Sequence, residues 1–425
     1  IFDVNEYNLG QYAYDAFILL DGSQLSLKAT MNILQGFSLL SGLKCNITKT
    51  KAIWIGNKKF SNGRICPDMG LIWSSSNFTL LGIDFLPDLQ QMVEINYMKK
   101  LTKAKRILAS WSQRHLSVVG KVIVVKTLVL PIFIHLFSAL PNPSAKVEAE
   151  LNRTLFKFVW GGKVERIKRD ILVAPENEGG LNMIHIFSFI RYIKIRWVKR
   201  LLENENGAWQ NLVNKTILRN KKDIWNLGRR KLEELSKLIK NNFWRDVILA
   251  VSYWKEEPQS ANEFLSMSIL NFVPPRMFYQ YKSWTEAGFE ILNDLVDDHG
   301  NLIPFEMIKQ KTRSDDFLKY FSLISKIPKA WKEAIKNHLA HNNFDKQEDK
   351  IMDLQKHNSL KFVYKDLLKK AKRQHTAKQE SWMQVLNKNI SSEEWSEIYS
   401  RAKCCTKDTK LISFNFKLIH RIIAT

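Results

Sequence analysis

Asp15 is a lone carboxylate behind the aromatic run Tyr12-Ala13-Tyr14, and residues 17–20 form an apolar stretch directly after it. Short apolar runs on both sides make residues 12–15 read as the turn of a β-hairpin. A carboxylate at such a tip can ligate a hard cation. Magnesium, however, takes several oxygen ligands in near-octahedral geometry, and two-metal phosphoryl chemistry needs more than one carboxylate. Tyr14, next to Asp15, is a phenol with a pKa of roughly 10, so it is uncharged at neutral pH and a poor magnesium ligand. The other chemistry-bearing series is cationic. Met98, Leu101, Ala104 or Lys105, Leu108 and Trp111 recur at three- to four-residue spacing, with Lys99, Lys100, Lys103 and Arg106 between them. That pattern predicts a helix with one apolar and one basic face, Trp111 serving as a core anchor. Arg114 and Lys121 continue the basic series. Gly120-Lys121 lacks the upstream glycine of a phosphate-binding P-loop, which leaves Lys121 as a candidate phosphate contact outside any nucleotide loop.

The surrounding elements change character along the chain. Residues 23–40 place Leu27, Met31, Leu34 and Phe37 at helical spacing, with Ser26 as the expected cap. Strand-like runs at 51–55 and 78–85 follow, separated by a polar loop. From residue 95 onward the periodicity is helical, with a second helix over 117–130 along Val118, Val122, Val125 and Val129. The expected fold is therefore an α+β N-terminal part followed by mainly α-helical remainder. Gly161-Gly162, Gly179-Gly180 and Asp298-His299-Gly300-Asn301 read as turns. Trp209, Trp225, Trp244 and Trp284 read as packing anchors, and 341–380 as a solvated helical linker.

The chain has 425 residues and a net charge of +23. Residues 1–96 carry 7 Lys/Arg against 8 Asp/Glu (−1), residues 97–230 carry 26 against 9 (+17), and residues 231–425 carry 32 against 25 (+7). Basic excess concentrated in one segment favours a polyanion, because each neutralised phosphate releases condensed counterions. A membrane surface is the other polyanion. The most apolar stretch, 118–140, is interrupted by Lys121, Lys126, Pro131 and His135, which predicts a kinked buried helix in place of a span. The four cysteines form no Cys-x-x-Cys pair and the histidines lack ligand spacing, so reduced thiols, an intracellular location and no zinc site are expected.

An ordered motif series gives these pieces a common origin. Tyr12-Ala13-Tyr14-Asp15 is followed by Ser41-Gly42-Leu43-Lys44-Cys45-Asn46-Ile47-Thr48-Lys49-Thr50-Lys51, then Leu80-Leu81-Gly82-Ile83. Trp111, Arg114, Leu116, Ser117, Gly120-Lys121 and Lys126 come next. Phe158-Val159-Trp160-Gly161, Arg166-Ile167-Lys168, Glu178-Gly179-Gly180-Leu181 and residues 414–421 complete the series. This succession resembles the reverse transcriptases of non-LTR (long interspersed element) retrotransposons.

The resemblance implies the end of a polymerase palm over 1–92, a basic helical thumb over 93–202 and a helical connector over 203–425 leading toward a zinc-knuckle region. It implies an internal slice of a longer enzyme, since the upstream palm motifs are missing. Asp15 would be the remnant second hairpin aspartate and vestigial metal ligand, with Tyr14 replacing the catalytic first one. Lys49 would sit near the phosphates of the incoming nucleotide. Gly82 would shape the primer grip, and Lys99, Lys100, Lys103, Arg106, Arg114 and Lys121 would contact nucleic acid. The implied partners are RNA and DNA as a primer–template duplex, with neither a membrane nor a small-molecule substrate. The family uses Mg2+, which this chain is not expected to bind productively. An active longer polyprotein, a domesticated RNA- or DNA-binding module in the nucleus or cytoplasm, and an inert relic are the alternatives.

Overall fold

In a computed structural model the described residues are 9–12, 15–58, 61, 63–74, 77–203, 208–214, 222–313, 315–346, 350–371 and 377–423. Tyr14 lies outside them. Of the described residues 64% are helical and 6% strand, with the small sheets near the N-terminus. Strands β1 (Leu9–Tyr12) and β2 (Asp15–Ile18) pair antiparallel, Tyr12 opposite Asp15. After helix α1 (Gln24–Ser41), β3 (Lys51–Ala52) pairs parallel with β4 (Ile72–Trp73), and β5 (Phe78–Leu80) pairs antiparallel with β6 (Ile83–Phe85). The helices that follow are α2 (Leu89–Ser112), α3 (Val118–Val124), α4 (Pro131–Ala139), α5 (Ala145–Val159), α6 (Arg169–Val173) and α7 (Ile186–Glu203). Next come α8 (Ala208–Leu212), α9 (Arg229–Ser236), α10 (Asn242–Trp254), α11 (Ala261–Leu265), α12 (Lys282–Glu286), α13 (Phe305–Thr312) and α14 (Phe317–Ile324). The last are α15 (Lys329–Leu339), α16 (Lys350–Lys356), α17 (Lys361–Ala371), α18 (Ala377–Leu386), α19 (Ser392–Cys405) and α20 (Thr409–Ile419).

The chain forms two compact units, Ile1–Ser110 with Pro143–Leu151, and Trp111–Asn142 with Asn152–Thr425. The core of the second unit runs without a break through Ile195, Val198 and Leu201 into Val213, Trp225 and Trp244.

In the first unit α1 is capped by Ser23, whose Oγ accepts the Ser26 amide at 3.1 Å. Ser26 is the donor beneath the cap and not the cap itself. Gly42 ends the helix at φ 73°, a left-handed value that glycine adopts without strain. No residue of α1 is buried; Leu27, Met31 and Leu34 are half-buried and Phe37 is exposed. The buried stripe of α2 is Met92, Asn96, Tyr97, Leu101, Ala104 and Leu108. Met98 is exposed, one position off the expected stripe, because Asn96 turns inward to hold β6. Its Oδ1 accepts the Asp84 amide at 2.9 Å, and its Nδ2 donates to the carbonyls of Asp84 (2.7 Å) and Met92 (2.8 Å). A side-chain amide here pairs with the β6 backbone as a neighbouring strand would.

In the second unit the apolar run 118–140 is a bent pair of helical segments. Ser117 caps α3 through the Gly120 amide (3.1 Å), residues Val125–Val129 form a π-turn, and Pro131 opens α4 at a bend of 47°. Val122, Val125, Val129, Phe133, Leu136 and Phe137 are buried, as the kinked-helix expectation requires. Among the described residues no single helix is long and apolar enough to cross a membrane. Trp225, Trp244 and Trp284 are core anchors, whereas Trp209 is 37% exposed, edge-on to Trp197 at 5.4 Å. The polar stretch 341–380 contributes more than a linker: Ile351, Leu354, Leu360, Val363 and Leu367 join the core. A sparse apolar stripe suffices there because the opposite faces of α16 and α17 remain charged. The turn at 298–301 forms around Asp297, whose Oδ1 accepts the amides of His299 (2.9 Å) and Asn301 (2.8 Å).

Candidate nucleic-acid interface

In the first unit the basic face of α2 is built as the spacing predicts. Lys99, Lys103 and Arg106 stand one helical turn apart and are exposed, with Lys100 half-buried beside them. Lys99 is engaged: its Nζ lies 2.8 Å from Asp84 Oδ2, and Thr79 Oγ1 donates to Asp84 Oδ1 at 2.6 Å. The hydrogen bond from Lys99, then that from Thr79, holds the Asp84 carboxyl below the ordinary aspartate range. Lys103 and Arg106 have no ion-pair partner among the described residues.

The hairpin that presents Asp84 turns at Leu81 (φ 48°) and Gly82 (φ 77°). Two successive positive φ values define the tight turn whose twist matches paired strands. Leu81 is 45% exposed in that strained conformation, and a Cβ at Gly82 would meet open space. Gly82 is therefore required by backbone conformation, and its open side leaves room for a strand to approach. Lys49 is exposed at the end of a single 3-10 turn, Ile47–Lys49, capped by Asn46 Oδ1 accepting the Lys49 amide at 3.1 Å. Asp15 is exposed on β2. Among the described residues no three His, Cys, Asp or Glu side chains converge in a metal-holding group. Asp15 alone does not fit a magnesium site, and no catalytic step is assigned to one.

In the second unit Trp111 is half-buried and not a core anchor. The Arg114 guanidinium lies over its ring at 4.2 Å, so the indole holds the arginine in place at the helix end. Lys121, on α3, is half-buried with Nζ 5.9 Å from the Phe158 ring centroid. A Cβ on Gly161, whose φ is 62°, would lie 2.9 Å from that Nζ. Burial, then the positive charges of Lys163 and Lys417, push the Lys121 ammonium below its ordinary pKa.

Four motif segments distant in sequence meet here. Helix α20 packs on α3 and on α19. His420 Nε2 lies 2.7 Å from the Gly179 carbonyl, and Arg166 donates to the Ile422 carbonyl at 2.9 Å. Gly179 (φ 85°) faces the Tyr399 ring at 2.8 Å from where a Cβ would stand, and a Cβ on Gly180 would lie 1.9 Å from the Ala174 carbonyl oxygen. The paired glycines are thus demanded by conformation at one position and by close approach at the other.

Sequence reading did not single out Lys163 and Lys417, although Lys417 lies within the last motif. It also missed Asn96, whose polar type on an apolar face was the available signal, and Lys194. Lys194 is wholly buried on α7; its Nζ donates to the carbonyls of Phe137 (2.9 Å) and Leu140, closing the end of α4. Burial lowers its pKa to about 7, against the opposing pull of Asp246. The four cysteines are free thiols, Cys66 buried and the others exposed. No family model matches the chain.

Proposed function

We propose that this chain is the palm-end, thumb and connector portion of a non-LTR retrotransposon reverse transcriptase, an RNA-directed DNA polymerase by descent. It grips RNA and DNA through their phosphates and does not polymerise with its own residues. The observation that carries this reading is the meeting of separated motif segments. Residues 117–121, 158–161, 178–181 and 414–421 follow one another in the motif order of the family, and they pack together around Gly161, Gly179 and His420. Chance matches have no reason to share a packing site.

Support for backbone binding comes from the exposed face of Lys103 and Arg106 and from the charge imbalance over 97–230. A duplex or a structured RNA is the partner, and a nuclear or cytoplasmic location goes with that reading. For catalysis, the residue beside Asp15 is a phenol at the position where the family resemblance calls for a carboxylate. Template-directed nucleotide incorporation, measured with magnesium and with manganese, tests the second half of the proposal. The expected result is no incorporation by the chain or by Tyr14→Asp. Incorporation by the unmodified chain would overturn it.

A further inference from the structure

We propose that Arg276, Tyr279 and Lys282 form a binding site for an unpaired nucleic-acid strand. Tyr279 stacks on one base, and the two cations take the phosphates on either side of it. The site rests on the nucleic-acid reading above and names the form of the ligand, a single strand.

Pro275–Tyr281 is a 3-10 helix of seven residues, and Lys282 follows it as the first residue of α12. A 3-10 helix has three residues per turn, so side chains at i and i+3 stand directly above one another. Burial follows that period along the element. Pro275, Phe278 and Tyr281 are buried, whereas Arg276, Tyr279 and Lys282 are exposed. The buried edge is fixed in the core of the second unit, where Phe278 and Tyr281 pack. Tyr281 Oη donates to the Lys319 carbonyl at 2.9 Å, and its ring lies edge-on to Trp284 at 5.4 Å. The outer edge is therefore a fixed ladder of cation, aromatic ring and cation, with a rise of about 6 Å from one rung to the next.

Tyr279 is 71% exposed. Its hydroxyl accepts from Gln280 Nε2 at 3.1 Å, and among the described residues no ring or cation covers its face. A tyrosine ring carries a large apolar face that is ordinarily packed against something. Held out on a rigid element, that face suits stacking by any base. Arg276 has no ion-pair partner among the described residues. Lys282 pairs with Glu286 at 3.3 Å, both side chains being more than half exposed. Solvent screens such a pair, so a phosphate can displace the carboxylate. Charge selects the occupant: residues 231–425 carry a net +7, and a cation on each side of the ring matches a base between two phosphates. A paired base has no free face, so a duplex does not fit the ladder.

Affinity of the full chain for oligouridine and for oligothymidine tests the site, and the two arms tell RNA from DNA. Tyr279→Ala should weaken single-strand binding by about fivefold to a hundredfold, the range of one base–aromatic stack. Tyr279→Phe, which keeps the ring, should bind as the wild type does. Arg276→Gln/Lys282→Gln should reduce the slope of log affinity against log salt by about 1.4, the value for two phosphates of a single strand. Unaltered affinity in Tyr279→Ala, or an unaltered slope in the double variant, would overturn the site.

Two controls separate the site from the wider reading. Affinity for a blunt-ended duplex should not move in Tyr279→Ala, and an equal loss there would overturn the stacked base. A single-stranded oligonucleotide carrying 5-iodouracil, irradiated on the unmodified chain, should crosslink to Tyr279; crosslinks confined to other residues would overturn the assignment. Wild-type binding that ignores all three side chains would sink the site and leave the nucleic-acid reading standing. Failure of the wild type to bind single strand or duplex would sink that reading, and the site with it. Loss of self-association in Tyr279→Ala, with oligonucleotide affinity intact, would give the face to a second copy of the chain and overturn the proposal.

Discussion

His420 donates its Nε2 proton to the carbonyl oxygen of Gly179, 2.7 Å away and 241 residues earlier in the chain. A carbonyl can only accept, so the contact fixes the tautomer and leaves Nδ1 as a bare lone pair, without a partner among the described residues. The ring stacks beside Tyr399 at 6.2 Å and 9° and lies against Phe416 at 4.6 Å. One imidazole thereby ties the last helix to the glycine turn, and Tyr399 explains why that turn has no side chain.

Burial holds the His420 pKa below its ordinary value, the Gly179 contact opposing. The unfolded chain therefore binds the proton first on acidification. The stabilisation is fully present above the unfolded pKa of roughly 6.5 and declines as pH falls toward the lower folded value. His420→Gln keeps a donor for Gly179 and removes the titration. Thermal unfolding from pH 7.5 down to 5 should show a shallower loss of Tm in the variant than in the wild type.

Gly180→Ala tests the glycine pair from the other side. Its Cβ would lie 1.9 Å from the Ala174 carbonyl oxygen, and backbone cannot yield as a flexible side chain can. A loss of roughly 1–3 kcal/mol or more is expected, read as a lower urea midpoint for the second unit. Gly82→Ala also loses the freedom of a positive φ but meets no neighbour. Its cost should be smaller and confined to the hairpin.

Lys194 gives a second pH signature of opposite range. Its pKa falls to about 7 in the fold, because burial disfavours the ammonium. Between that value and the unfolded pKa near 10.4 the unfolded chain holds the extra proton, so stability rises with pH, by at most about 1.4 kcal/mol per unit. Chemical denaturation at pH 7 and pH 9.5 should show this rise in the wild type. Lys194→Met should flatten it.

Asn96→Leu removes the side chain that pairs with the backbone of Asp84. A buried amide and carbonyl left unpaired cost about 1–3 kcal/mol each. Hydrogen exchange at the Asp84 amide should accelerate by tenfold or more, while exchange in α10 stays unchanged.

Much of this was legible in the sequence, for reasons that the exceptions make clear. The helical pattern through 98–111, its basic face and the kink in the apolar run 118–140 follow from spacing and from local chemistry, and they formed. Ser26 gave way to Ser23 because capping depends on where the first amide points, which a one-turn ambiguity in sequence conceals. Met98 yielded the buried stripe because Asn96 gains three backbone partners, a tertiary contact that hydrophobicity does not register. The linker at 341–380 hid Ile351, Leu354 and Val363 because a few apolar residues at the right spacing satisfy a core that other helices complete. For the site, the basic series through Lys121 was visible, and the meeting of His420 with Gly179 was not. Contact between residues 241 positions apart is a property of the fold alone.

The central claim is that the chain grips nucleic acid by its phosphates. Its most direct test is the affinity of the full chain for a primer–template duplex, measured from 50 to 300 mM salt. The account predicts binding that weakens linearly on a log–log plot, with a slope reporting several phosphates, and a smaller slope in Lys103→Glu/Arg106→Glu. Absence of duplex binding at the lowest salt, or binding indifferent to salt, would contradict it.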